Sequence, residues 1–148
     1  MIKIAHESPL SMFAEVASVT DIDYCLANVY VDDEEYKQQF LKSSSSGREI
    51  ILDNGVFETG EAMTGQQYES IVEELNPTWY ILPGKLEDAT QTVQNAKNWK
   101  YSHPTAKKIG VVQGKTLDEL VWCYREIEPL VDIEANIVTG KQIGRAHV

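Results

Sequence analysis

Along this chain an apolar, β-rich run returns about every 25 to 30 residues, the length of one βα unit with short loops. The runs are "IKIA" (2–5), "YCLANVYV" (24–31), "EIIL" (49–52), "TWYIL" (78–82) and "KIGVV" (108–112), with a weaker one at "IEANIV" (133–138). Helical stripes lie between them: Leu10, Phe13, Val16 and Ala17 after Ser8-Pro9; Tyr68, Ile71, Val72 and Leu75; Val93, Ala96 and Trp99; and Leu117, Leu120, Val121 and Tyr124. Strands alternating with amphipathic helices predict an α/β fold with a parallel sheet. An open doubly wound sheet and part of a (β/α)8 TIM barrel both satisfy the pattern. No G-x-G-x-x-G and no P-loop follows any strand, which weakens the case for an open sheet that holds a nucleotide. A closed barrel takes about 250 residues. The 148 residues here carry about five to six βα units, so the barrel would be incomplete.

The last seven residues, "QIGRAHV", break the rhythm: they have no period and no cap, and they follow closely on the apolar "NIV". Back-translated as CAG ATC GGA AGA GCA CAC GTC, they spell the start of a common short-read sequencing adapter. Residues 142–148 are therefore expected to be adapter-derived, with Lys141 as a junction residue. Residues 1–141 are expected to be the partial barrel, an amino-terminal piece of something longer.

With 43% hydrophobic residues, the chain supports one domain with a real core. The net charge of −10 opposes long-range attraction to a polyanion, so a nucleic-acid role requires a local basic patch. No apolar run approaches the roughly 18 residues needed to span a bilayer. The amino terminus turns polar at once, so a cytoplasmic protein with no membrane partner is expected. Cys25 and Cys123 are the only cysteines and form no C-x-x-C pair, so neither a disulfide framework nor a structural zinc site is expected; both are predicted to be core residues.

In parallel α/β folds, ligands bind where strands end at their carboxyl side. Those positions read His6-Glu7, Asp53-Asn54-Gly55, Pro83-Gly84 and Gln113-Gly114. Asp53 suits a general acid/base or an acceptor for a donor edge, and Gly55 lets a ligand approach the backbone. Phe57 offers a flat apolar face, and Gln113 carries both a donor and an acceptor, which together make the parts of a purine pocket. Each also has a plainer reading. Asp-Asn-Gly is a common turn, Gln113-Gly114 a helix entry, and His6-Glu7 a cap or ion pair. "DDEE" (32–35) reads as a solvated first helical turn, "SSSSG" (43–47) as a loop, and Lys107-Lys108 as too small a patch for phosphate.

Taken in order, the motifs resemble a known family. "ILDNGVFE" (51–58) resembles the segment of the tRNA-guanine transglycosylases that runs aspartate, small residue, glycine, glycine, aromatic, glutamine. "IGVVQGKTLDEL" (109–120) resembles their isoleucine-valine-glutamine-glycine-glycine strand end. With "IKIAHESPLS" and "LPGKLEDATQTVQN" the likeness extends to about Thr139 and is nearest the shorter, phage-type members.

The resemblance implies an incomplete (β/α)8 barrel of a queuine tRNA-ribosyltransferase-like enzyme, which exchanges guanine for a 7-deazaguanine base in tRNA. A carboxylate attacks the ribose anomeric carbon, displaces guanine, and is displaced by the new base. By the same resemblance, Asp53 matches the pocket aspartate of proton transfer, catalytic in role. Phe57 matches the aromatic stacked on the base, and Gln113 and Gly114 the contacts to its polar edge; Asn54 and Gly55 complete the substrate-binding turn.

The departures are Val56 for a glycine, Glu58 for a glutamine, Lys115 for a glycine, and Gly84 where the aspartate pairing with the guanidine-like edge is expected, unless Asp88 or Glu87 substitutes. The nucleophile and the zinc ligands of the tRNA enzymes would lie beyond residue 141. No cofactor and no metal is thus expected in this piece, which alone should be inactive. A DNA-guanine transglycosylase that inserts 7-deazaguanine into phage DNA is the near alternative. A non-catalytic binding module or dimerising half-barrel is the alternative of a different class.

Overall fold

The computed structural model of the chain describes residues 3 to 135. The suspected tail at 142–148, Lys141 and the end of the run "IEANIV" lie outside them. Six strands form one sheet in which each pairs in parallel with its sequence neighbour, in the order β1 (Ala5–His6), β2 (Ile22–Leu26), β3 (Glu49–Asp53), β4 (Trp79–Ile81), β5 (Lys107–Val111) and β6 (Ile133–Ala135). The order never reverses, so the described sheet has no switch point of the kind that defines a doubly wound fold. Seven helices, α1 (Phe13–Val19), α2 (Ala27–Asp32), α3 (Glu34–Ser45), α4 (Val56–Thr59), α5 (Gly65–Leu75), α6 (Ala89–Asn98) and α7 (Leu117–Ile127), connect the described strands.

The two faces of the sheet differ because strand side chains alternate. On one face, Cys25, Ile50, Leu52 and Tyr80 meet the helices through Tyr30, Phe40, Tyr68, Val72, Leu75, Val93 and Ile127 in the main core. On the other, Tyr24, Ile51, Trp79, Ile81, Ile109 and Val111 form a cluster of strand residues alone. The helix stripes at Tyr68, Ile71, Val72 and Leu75 and at Val93 and Ala96 are buried as their spacing predicts. Cys25 and Cys123 are buried in the core, where desolvation pushes both thiols up.

Several expectations change in the structure: the first strand includes His6 rather than ending before it, and Asp32 ends α2 while Asp33 caps α3, so 32–35 is not one helical turn. The run "YCLANVYV" is not one strand: β2 stops at Leu26, and Ala27 and Tyr30 face the core three residues apart on α2. An unbroken apolar run fits a buried strand or a buried helix equally, so periodicity did not separate them. The serines of 43–45 are the last turn of α3 rather than a loop, and each side chain has a partner: Ser43 on Asp23, Ser44 on the Leu75 carbonyl at 2.8 Å and Ser45 on the Leu41 carbonyl at 2.8 Å. On α7 the buried side is Cys123 and Ile127 with Leu120 packed against them, while Leu117, Val121 and Tyr124 are exposed. Of the expected stripe only Leu120 packs on the core, and the buried face turns on Cys123 and Ile127 instead.

At the amino ends of β2 and β3, Asp23 is only 4% exposed and is held by Arg48, whose Nη2 lies 2.7 Å from one carboxylate oxygen and whose Nε is 2.9 Å from both. The same Nη2 donates to the Thr20 carbonyl at 3.1 Å, and Ser43 donates to Asp23 from the end of α3. Breaking such a pair costs more than its net contribution, because the surviving charge is left buried without compensation. Arg48→Ala is expected to lower unfolding stability by about 3 kcal/mol, the low end of the range for buried pairs because Arg48 is partly solvated. Urea denaturation of the two proteins measures it.

Candidate functional site

The carboxyl ends of the strands carry the polar residues. Asp53 is the last residue of β3, opposite Leu26 of β2 in register. One of its carboxylate oxygens, Oδ1, accepts the Gly55 N–H at 2.9 Å, and the other, Oδ2, accepts the phenol O–H of Tyr24. Asn54 is 2% exposed: its Oδ1 accepts the Val56 N–H at 3.0 Å while its Nδ2 donates to the Leu82 carbonyl at 3.0 Å. Asp-Asn-Gly is thus two successive side-chain turns, the second stitched to the end of β4. Asn54 has both ends of its amide committed to the backbone.

Gly55 is required twice over. Its φ of +75° is a conformation L side chains rarely adopt, and a Cβ there would stand 2.6 Å from Asn28 Oδ1. That oxygen is itself buried without a hydrogen-bond partner. Phe57, on α4, is 64% exposed and presents its ring to solvent two residues after this turn. The Glu58 carboxyl is pushed up, first by burial and then by the negative charges of Asp53 and Glu7.

Gln113 follows β5 and is 7% exposed; its Oε1 accepts the backbone N–H of Glu87 at 3.1 Å. Glu87 sits at a φ of +57°, so Gln113 braces a strained loop between β4 and α6. At Gly114 a Cβ would lie 2.9 Å from Glu119 Cβ and 3.0 Å from the Leu120 nitrogen, so glycine allows the close entry to α7. The Thr116–Glu119 capping box starts that helix. At Gly84 a Cβ would make only ordinary contacts, 3.5 Å to Thr92 Oγ1 and 3.9 Å to Gln113 Cγ.

Strands β3 and β5 flank β4, so the turn at 53–55 and the Gln113-Gly114 entry share one rim, about 10 Å apart at normal strand spacing. His6 ends β1 on the same rim, exposed, with its ring against the Glu7 carbonyl. Lys107 and Lys108 begin β5 and lie at the opposite end of the sheet. Among the described residues no group of three or more His, Cys, Asp or Glu side chains is arranged to hold a metal, and no helix is long and apolar enough to cross a membrane.

Tyr24 and Asn28 escaped the reading of the sequence. The available signal for Tyr24 was a tyrosine at the head of an apolar-rich run, whose hydroxyl demands a partner when buried. Compared with known proteins, the chain matches no family model and no curated protein.

Gly55→Ala is expected to cost about 1–3 kcal/mol of stability from backbone strain and the contact with Asn28. Gly47→Ala has a similar φ of +80° but open space around it, so it should lose only the backbone part, about 1 kcal/mol. Denaturation midpoints of the two variants separate the terms.

Proposed function

We propose that this chain carries part of a (β/α)8 barrel of the tRNA-guanine transglycosylase type, with the rim around Asp53 as the mouth where guanine is exchanged for a 7-deazaguanine. The observation that carries the reading is the position of Asp53, Gly55 and Phe57 with Gln113 and Gly114. They stand after two strands of one parallel sheet whose order never reverses.

Three features support continuation into further βα units. All the packed helix side chains meet one face of the sheet, and the other face keeps an apolar strand cluster such as a barrel encloses. Leu117 and Val121 on α7 and Ile133 on the edge strand β6 keep apolar surface exposed, as packing of a further unit would require.

In this reading Asp53 takes and returns the proton of the exchanging base, Phe57 supplies the stacking face, and Gln113 holds the loop at 83–88 in shape through Glu87. A nucleophile and any zinc belong to residues outside this piece. The polyanion, tRNA first and DNA as the alternative, needs basic surface from outside it as well, since the net charge is −10 and Lys107-Lys108 lie at the far end of the sheet.

Isothermal titration with guanine and 7-deazaguanine tests the pocket. Asp53→Ala is expected to weaken binding at least about tenfold, the loss of one charge-assisted hydrogen bond. Unchanged binding would move the chain to the class of non-catalytic binding modules. Gly84→Asp adds an acceptor beside Gln113 in space that tolerates the Cβ, and is expected to tighten guanine relative to hypoxanthine, which lacks the amino group. Competition titration with the two bases reads this out.

A further inference from the structure

We propose that Tyr24 is a positioning residue of this mouth, fixing the Asp53 carboxylate through its phenol O–H so that the acid presents its remaining lone pairs to the base in one orientation. The proposal rests on the reading above, in which Asp53 exchanges a proton with that base. Tyr24 pairs with Ile51 and Leu26 with Asp53, so Tyr24 lies two residues back from the rim on the same face as Asp53. Two residues of strand rise about 6.6 Å, close to the reach of a tyrosine side chain. The hydroxyl therefore arrives at the end of the neighbouring strand, where it donates to Asp53 Oδ2.

The surroundings make this contact more than a satisfied hydroxyl. Of the six side chains in the strand-only cluster, Tyr24 alone carries a hydroxyl, and its ring packs in that cluster while its tip points at the acid. The Gly55 N–H holds the other oxygen at 2.9 Å, so one donor fixes each oxygen and the plane of the carboxylate is set from two sides. Glu7 after β1 and Glu58 on α4 are the other charges that act on Tyr24 beside Asp53, while Cys25 on β2 and Tyr68 on α5 lie on the helix-covered face of the sheet. The Tyr24 phenol is correspondingly pushed well up, by burial first and then by Asp53, Glu58 and Glu7.

The test follows the carboxyl carbon of Asp53 by NMR across a pH titration of the full chain, in the wild type and in Tyr24→Phe, which keeps the ring and removes only the donor. The midpoint is expected to rise by about one pH unit in the variant, the tenfold change in proton affinity of one charge-assisted hydrogen bond. The reciprocal variant, Asp53→Asn, is expected to move the hydroxyl-proton resonance of labelled Tyr24 upfield as the charged acceptor is lost; it keeps the question answerable where Tyr24→Phe folds poorly. An unchanged Asp53 midpoint in folded Tyr24→Phe, or an unchanged Tyr24 hydroxyl resonance in folded Asp53→Asn, overturns the proposal.

Guanine titrations on the same samples distinguish its failure from that of the pocket. Guanine binding whose acid limb moves with the Asp53 midpoint in Tyr24→Phe supports both. Guanine binding with an unmoved midpoint sinks the role of Tyr24 and keeps the pocket. A moved midpoint with no guanine binding by the wild type sinks the pocket, and the proposed role toward a base with it, and leaves only the pairing.

Discussion

When every strand of a parallel sheet lies beside its predecessor, each connection has to climb back over the same face in the same right-handed sense. Most of what distinguishes this chain follows from that constraint. It puts the helices on one side, where Leu52, Tyr80, Val72 and Leu75 can be sealed from water. It also leaves an opposite face that only strand side chains can fill, with Ile51, Trp79 and Ile109 among them. Finally, it brings every strand's carboxyl end to one rim, so residues far apart in sequence such as Asp53 and Gln113 face a common space.

The two ends of the sheet handle charge differently. At the amino ends, Asp23 is withdrawn from solvent and fully answered by Arg48 and Ser43, joining β2, β3 and the end of α3 into one block. At the carboxyl ends, Asp53 is partly exposed and is answered by neutral donors, a phenol and a backbone N–H. A carboxylate paired with a guanidinium is neutralised, whereas one held by neutral donors keeps its charge for whatever arrives. That contrast is the physical reason to look for chemistry at one end and stability at the other.

The strand rhythm was legible because a buried parallel strand leaves a dense apolar mark, and the positions of β3, β4 and β5 follow the runs closely. The divided run at 24–31 was not legible, since Leu26 and Ala27 are equally apolar and only the change from period two to a spacing of three, between Ala27 and Tyr30, marks the boundary. On α7 the pattern holds apolar residues on more than one side, and the exposed Leu117 and Val121 look the same in sequence as the packed Leu120. At the rim, the types of residue were readable but their commitments were not. Nothing in a sequence says that Asn54 spends its amide on Leu82 or that Gln113 spends its carbonyl on Glu87, because both bonds join distant segments.

The stitch from Asn54 to the end of β4 also has a consequence for the order in which the chain is built. Its Nδ2 donates to the carbonyls of Ile81 and Leu82, which are synthesised 27 and 28 residues later. A nascent chain that has emerged only through β3 can form the turn at Asp53 and Gly55 but has no acceptors for that amide. The rim is therefore completed only after β4 has left the ribosome, and until then the Asn54 amide waits in solvent for the strand that will cover it.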